Sequence, residues 1–500
     1  MSVEDVRKDT SSVADGAVQD VLRTSEAGPL VIRGGAIRGF GYGVGVVLTA
    51  IASVFLLRYL GVVDFGRYVT VLSLIAIVSG VTDAGLTAVG ARDLSLRPIG
   101  EPRERLLANL LGLRLVLTPL GVVGATLFAL IAGYERTLVL GTLVAGTGLV
   151  LINLQATMML PLSVGLQIGR LTAVEVLRQA TAVVTIGILV AIGASLLPFF
   201  AVQVVVGMVA LAGTPWLLGH SAIVAPALDR REWRTLVREA LPIAAALVMN
   251  VVYFRLLIVL MSLLATATAT GLFATSFRIF EILFGIPVLV LAVALPVLAA
   301  AGAERERIRY QLQRMTEIAC IAAAYLVLAV VVLADPLIRL LGGSEYEGAA
   351  PVLQIQSVAL IAVFLGQVWQ LGLIAIRRQS ALAVANGVAL ALVLVLGLGL
   401  IPRFEETGAA VAAVLAETAL AAMLLVLLAR ADRSLMPNFG FAWKVAIAAG
   451  FAALVFALPL PAAVALAGAT IVYAVAVWLT GVLPPEVLDA FVRRRTALDR

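Results

Sequence analysis

Charge is the scarcest feature of this 500-residue chain: 13% of its residues are Asp, Glu, Lys or Arg, about half the share of an average soluble domain. Apolar residues make up 62%. That balance excludes a soluble enzyme, a disordered tail protein and a nucleic-acid binder, in spite of a net charge of +6. Cysteine occurs once, at Cys320, so no disulfide and no thiolate metal site can form within one chain. Histidine occurs once, at His220, which removes zinc clusters and most imidazole acid–base chemistry. The two lysines, Lys8 and Lys444, stand outside any Gly-x-x-x-x-Gly-Lys-Ser/Thr context, so the chain has no P-loop to draw on ATP. No catalytic residue, metal site or cofactor is expected.

What is present is long apolar runs broken by short polar turns. Spans of ~20–23 residues would divide the apolar content into roughly 13–15 membrane helices. The runs mark fourteen: 36–57, 68–91, 106–131, 137–160, 171–192, 196–219, 238–262, 271–300, 316–341, 351–376, 380–401, 407–429, 441–460 and 462–483. Residues 1–35 are polar and of mixed charge, with no apolar core or cleavage site, and read as a cytoplasmic tail rather than a signal peptide. With the N-terminus inside, 25 basic residues fall in cytoplasmic segments and 4 in external loops, Arg58, Arg67, Arg136 and Arg403. That is a positive-inside pattern repeated loop after loop, and it places both termini in the cytoplasm. The positive charge therefore reports orientation. The external loops leave no room for an acceptor-holding domain.

Three segments carry a resemblance. Leu57-Arg-Tyr-Leu-Gly-Val-Val-Asp-Phe-Gly-Arg-Tyr68 is followed by Thr82-Asp-Ala-Gly-Leu-Thr-Ala-Val-Gly-Ala-Arg-Asp93. Asp335-Pro-Leu-Ile-Arg-Leu-Leu-Gly-Gly-Ser-Glu-Tyr-Glu-Gly-Ala-Ala-Pro-Val-Leu353 and Ile401-Pro-Arg-Phe with Thr407-Gly-Ala-Ala410 come later. In this order they resemble the Wzx-type polysaccharide flippases, relatives of lipid II flippases and MATE drug antiporters in the multidrug/oligosaccharidyl-lipid/polysaccharide exporter superfamily. The resemblance implies an all-α polytopic membrane protein with two parallel six-helix lobes around a central cavity plus two extra C-terminal helices. It divides the chain into a tail (1–35), an N-lobe (36–219), a cytoplasmic linker (220–237), a C-lobe (238–429), helices 13 and 14 (441–483) and a basic tail (484–500). A faint internal repeat sets Gly66-Arg-Tyr68 against Gly271-Leu-Phe273.

Ionisable groups deep in a span are costly and are functional candidates by default. Arg255 lies ~12 Å down helix 7, Arg278 ~10 Å into helix 8, and Glu281 ~15 Å in, counted at 1.5 Å per residue. The resemblance places those helices at the cavity. Two readings stand side by side. In one, the arginines bind the pyrophosphate of a lipid-linked sugar, a task for which the guanidinium fork is suited, and Glu281 holds Arg278 when the cavity is empty. In the other, all three form a structural network between helices.

Arg38, Asp83, Arg92 and Arg114 lie toward the inner ends of helices 1–3. Asp83 can pair with Arg114 or Arg38, while Arg38 and Arg92 are placed to snorkel to headgroups. Arg58 and Arg67 flank the outer turn, where they meet either a sugar-phosphate headgroup or outer-leaflet phosphates. Glu175 and Arg178 are spaced to pair. Glu417, near the midplane of helix 12, is a candidate for a coupling H⁺ or Na⁺, or a protonated, hydrogen-bonded group.

The span amides Asn153, Gln155, Asn250, Gln354, Gln356, Gln367, Gln370 and Asn386, with Trp369, are candidate contacts for sugar hydroxyls, each weighed against an ordinary helix–helix hydrogen bond. Glycines 39, 41, 43 and 45 form two offset Gly-x-x-x-Gly pairs for close packing. Pro242, Pro287 and Pro296 are bends or static kinks, and His220 is a solvated residue ending helix 6.

The expected function is a flippase. It would carry an undecaprenyl-pyrophosphate-linked oligosaccharide across a bacterial or archaeal cytoplasmic membrane by alternating access, for surface-polysaccharide synthesis. Its partners would be that lipid, membrane lipids, a coupling H⁺ or Na⁺, and polysaccharide polymerase or glycosyltransferases. The rivals are a MATE-like cation-coupled drug antiporter, which calls for an acidic cavity, and a lipid II flippase. A membrane enzyme is disfavoured by the short external loops and the single histidine.

Overall fold

The computed structural model describes residues 27–98, 100–165, 167–218, 224–300, 305–376, 378–456 and 458–482. His220 and the basic segment 484–500 lie outside them, as do residues 1–26 of the polar tail and the side chains of Arg38, Pro242 and Pro296. Among the described residues every regular element is helical. This is what apolar runs in lipid require, because each backbone N–H and C=O must find its partner within the segment.

In chain order the helices are α1 (Ala27–Asp83), α2 (Leu86–Leu96), α3 (Glu101–Ile131), α4 (Arg136–Met158), α5 (Leu160–Val164), α6 (Ile168–Ala191), α7 (Leu196–Phe200) and α8 (Val202–Leu218). They continue with α9 (Arg230–Leu264), α10 (Ala267–Ala300), α11 (Arg305–Gly342), α12 (Ala349–Ala375), α13 (Gln379–Ala431), α14 (Ala442–Phe456) and α15 (Ala462–Leu479). Ten helical stretches are long and apolar enough to cross a membrane. The two longest each hold two passes, divided at Gly61 (φ 69°) and at Glu405 (φ 45°). With the shorter apolar pair at the C-terminal end, the described residues supply the fourteen expected crossings.

Several boundaries differ from the sequence reading. The expected span 68–91 is broken where Ala84 (φ 36°) and Gly85 (φ 79°) turn left-handed and α2 starts anew. Helix 7 begins at Arg230 rather than 238, and helix 8 at Ala267 rather than 271. Polar first turns explain both: charged side chains open helix 7 and threonines open helix 8, and neither adds to an apolar run.

The chain forms two compact units. Among the described residues, one comprises those up to 52 with 81–130 and 139–244; the other comprises 53–80, 131–138 and those from 245 onward. In the first unit, α2, α3, α5 and the start of α9 share a leucine-rich core that includes Leu86, Leu106, Leu110, Leu160 and Leu236. The segment before α9 is laid onto α3. Ala227 donates its N–H to the Ala108 carbonyl at 2.8 Å, Asp229 N–H reaches Asn109 Oδ1 at 3.0 Å, and Arg105 Nη2 reaches Asp229 at 2.7 Å. Arg97–Glu232 and Arg92–Glu239 ion pairs extend the same seam, so Arg92 is held by carboxylates on two elements.

The Arg105 guanidinium, and after it the Arg231 N–H, holds the Asp229 carboxyl below its usual range. A lowered folded-state value contributes stability that is complete above the unfolded value of about 3.9 and lost as pH falls through the folded one. Proteolytic nicking of residues 224–229 is therefore expected to stay flat from about pH 8 to about pH 5 and to rise only below about pH 4. Asp229→Asn should raise it at neutral pH.

In the second unit α12 is the buried hub, packed by α10, α11 and α13. The C-terminal pair α14 and α15 rests on α11, where Tyr473 donates to the Ile321 carbonyl at 2.7 Å and stacks at a tilt on Tyr325. The two glycines of the faint repeat touch: a Cβ on Gly66 would stand 2.8 Å from the Gly271 Cα, and one on Gly271 would strike the Val62 carbonyl. Because the obstacle is backbone, Gly271→Val is expected to lower stability by at least about 1–3 kcal/mol. Gly187→Ala, with nothing within 4 Å, should leave stability unchanged or slightly raised. Thermal unfolding of the purified variants checks both. In helix 1 only Gly41 makes a close approach, to Thr172; Gly39, Gly43 and Gly45 face open space, which corrects the expected paired packing.

Candidate functional site

Two helices of the second unit set the deepest charges side by side. Arg255 stands nine residues from the end of α9, and Arg278 and Glu281 stand eleven and fourteen residues into α10. At 1.5 Å per residue these are depths of about 14, 17 and 21 Å. Glu281 takes both arginines at once: Oε1 lies 2.5 Å from Arg255 Nη2, and Oε2 lies 2.8 Å from Arg278 Nη1. Arg278 Nε also donates to Ser53 Oγ at 3.2 Å. The side chains are a fifth to a third exposed, so the group is neither sealed nor freely solvated. Two cations share one anion, leaving one positive charge in excess.

Arg255 has a second set of neighbours. Its guanidinium lies over the rings of Phe254 at 5.4 Å and Phe277 at 5.9 Å, and those rings pack with Phe284 and Phe280. Ring faces stabilise a cation without neutralising it. The phenylalanines at 273, 277, 280 and 284 repeat at helical spacing, a signal in the sequence that reading for charge alone passes over.

The other predicted residues separate into distinct settings. Asp83 and Arg114 belong to the first unit and pair there, while the Arg38 side chain lies outside the described residues. Arg114 is 3% exposed; it also donates to Thr87 Oγ1 at 2.6 Å, and the Thr87 hydroxyl donates to Asp83 at 2.5 Å. Arg58 donates to the Leu340 carbonyl at 2.8 Å, and Arg67 is bound to Asp64 at 2.9 Å and Glu135 at 2.5 Å. Both outer arginines thus have protein partners. Glu175 and Arg178 pair at 3.3 Å as spaced.

Glu417 is 8% exposed and lies against Tyr253, which is itself buried. Among the amides, Asn153 donates to Thr118 and Gln354 to the Val331 carbonyl, while the buried amide of Gln356 and the Trp369 indole N–H have no partner among the described residues.

One docking interaction was not legible in the sequence. Tyr346, fully buried in the turn between α11 and α12, donates to the Leu57 carbonyl at 2.9 Å and meets Phe65 edge-on. Glu345 stands beside Gly61 at the break in α1. Two of the segments that carry the family resemblance therefore clamp each other within the second unit.

No protein-family model matches the chain, and no curated protein sequence does. Solved structures do match. The lipid II flippase MurJ in an inward closed conformation superposes with a TM-score of 0.76 at 10% identity, covering 88% of this chain and 98% of that one. An inward-facing MATE-family multidrug resistance transporter of the MOP superfamily gives 0.58 at 15% identity, covering 80% and 98%. A MOP-superfamily transporter from Pyrococcus furiosus gives 0.56 at 14% identity, covering 82% and 96%. At such identities the likeness is one of fold: this chain is a multi-pass helical membrane protein folded as MOP-superfamily transporters are.

Proposed function

We propose that the protein is a flippase that carries a lipid-diphosphate-linked oligosaccharide across the cytoplasmic membrane of a bacterium or archaeon, both termini inside, for surface-polysaccharide synthesis. The observation that carries this reading is the Arg255–Glu281–Arg278 group, an excess positive charge deep in the spans of a transporter fold. A diphosphate offers each guanidinium a bidentate partner, and can replace Glu281 on both at once. The hydrophilic head would then move past the arginines while the lipid tail stays in the bilayer. Direct roles for Arg38, Asp83, Arg114, Arg58 and Arg67 have weaker support, since all but Arg38, whose side chain is undescribed, are held by protein partners. Association with a polymerase or glycosyltransferases belongs to the same proposal.

One observation favours a second reading. Glu417, buried against Tyr253, suits a coupling cation, as an H⁺- or Na⁺-driven antiporter of the MATE kind would need. The lipid II flippase is the third alternative. Purified protein in liposomes, given a fluorescent lipid-diphosphate disaccharide without ATP, is expected to move the label between leaflets. Absence of movement under every ion gradient, together with uptake of cationic dyes, would transfer the case to the antiporter.

A further inference from the structure

The first unit contains a polar cavity of about 230 Å³ between α2, α4, α5 and α6, separate from the residues of the arginine group. Gln155 lines it at 2% exposure, and its amide has no hydrogen-bond partner among the described residues. The amide faces the cavity rather than a protein group, so an occupant that both donates and accepts finds a partner here. Arg178 forms part of the wall, and its Nε is likewise buried with no partner. Glu175 is fixed in place by Arg178 and by Gln179, which donates to it at 3.1 Å and accepts from Thr49 at 3.2 Å.

Charge decides the class of ligand. Glu175 offsets Arg178, and the Thr87 hydroxyl on the far wall is already engaged by the closed Asp83–Arg114 pair. The cavity carries no net charge, so a phosphate finds no uncommitted cation, whereas a neutral group with several hydroxyls finds the Gln155 amide and the Ser163 hydroxyl. Met159, Leu171 and Val174 supply an apolar wall. Polar groups along one edge and an apolar surface beside them match a sugar ring, whose hydroxyls project from its rim and whose C–H groups form a face. The volume falls below the roughly 300–1,000 Å³ of pockets for drug-sized ligands, which suits one ring and not a chain of them.

We infer that this cavity is a binding site for a single neutral sugar residue, built on Gln155 and the Glu175–Arg178 pair. The inference rests on the reading that the passenger carries a sugar, and a binding assay without transport tests it separately.

The full chain in lipid nanodiscs, titrated with radiolabelled hexyl glycosides of glucose, galactose and N-acetylglucosamine, is expected to bind at least one of them saturably. Hexanol and hexyl phosphate should fail to compete. Gln155→Leu should weaken binding at least tenfold and Ser163→Ala, at an exposed position that cannot unfold the chain, severalfold. The Arg255→Gln/Arg278→Gln variant should bind as wild type does. Any of three results would overturn the assignment: no glycoside bound, hexyl phosphate displacing the glycoside, or binding indifferent to both Gln155→Leu and Ser163→Ala. Glycoside binding that persists in a protein inactive in liposomes would remove the flippase and leave this site intact.

Discussion

Replacing Arg255 and Arg278 together by glutamine is expected to reduce flipping of a lipid-diphosphate-linked sugar by at least about 10²-fold while the protein still reaches the membrane. A hydrogen bond to a charged group contributes about 1.5–3 kcal/mol, so losing two from the diphosphate removes about 3–6 kcal/mol, or 10²–10⁴ at 1.4 kcal/mol per decade. Glutamine keeps a donor for Glu281 at both positions, which limits the structural damage. Glu281→Gln then separates the two readings of the group. If the diphosphate displaces the carboxylate, removing its charge leaves both guanidiniums free for substrate, and the affinity for the lipid should hold or rise. If the group is only a brace, Glu281→Gln should lower stability by about 1–3 kcal/mol, discounted for partial exposure, and affinity should not respond. Liposome transport, lipid binding and thermal unfolding of the same three preparations decide between them.

The legibility of this site follows from what a local pattern can hold. Charges within apolar runs stand out, so Arg255, Arg278, Glu281 and Glu417 were found, as was the Glu175–Arg178 pair, whose spacing is set by one helix turn. The fourteen crossings were legible for the same reason, because lipid imposes a length on each run. What failed was anything decided by a distant segment. The sequence left Asp83 with two candidate partners because Arg114 stands on another helix, and neither window holds the approach of the two helices. Tyr346 reaches Leu57 across 289 positions, and no window on either segment holds that information. The four glycines of helix 1 look equivalent in sequence, yet only Gly41 meets a neighbour; which face of a helix is covered is a property of the partner. The aromatic surround of Arg255 was legible in principle, since its phenylalanines repeat at helical spacing.

Asp83→Ala is expected to lower stability by about 1–3 kcal/mol, less than for a fully buried pair because Asp83 itself is a third exposed. Arg114 is 3% exposed, and its remaining contacts are the Thr87 hydroxyl at 2.6 Å and the Asn153 carbonyl at 3.5 Å. The first is neutral and the second is at the limit of a hydrogen bond, so neither replaces a carboxylate. Removing both charges is a different matter, because the desolvation cost of the pair disappears together with its attraction. Asp83→Leu/Arg114→Met should therefore recover most of the loss, within about 1 kcal/mol of the parent or above it. The coupling energy from the parent, Asp83→Leu, Arg114→Met and the double variant measures the pair, by unfolding in mixed micelles. Transport by the double variant then addresses function separately from folding. The pair is closed on itself, capped by Thr87 and confined to one compact unit, so the stable double variant is expected to flip its lipid at close to the parental rate. A double variant as stable as the parent but inert would instead make Asp83 or Arg114 a group that must open and meet the passenger.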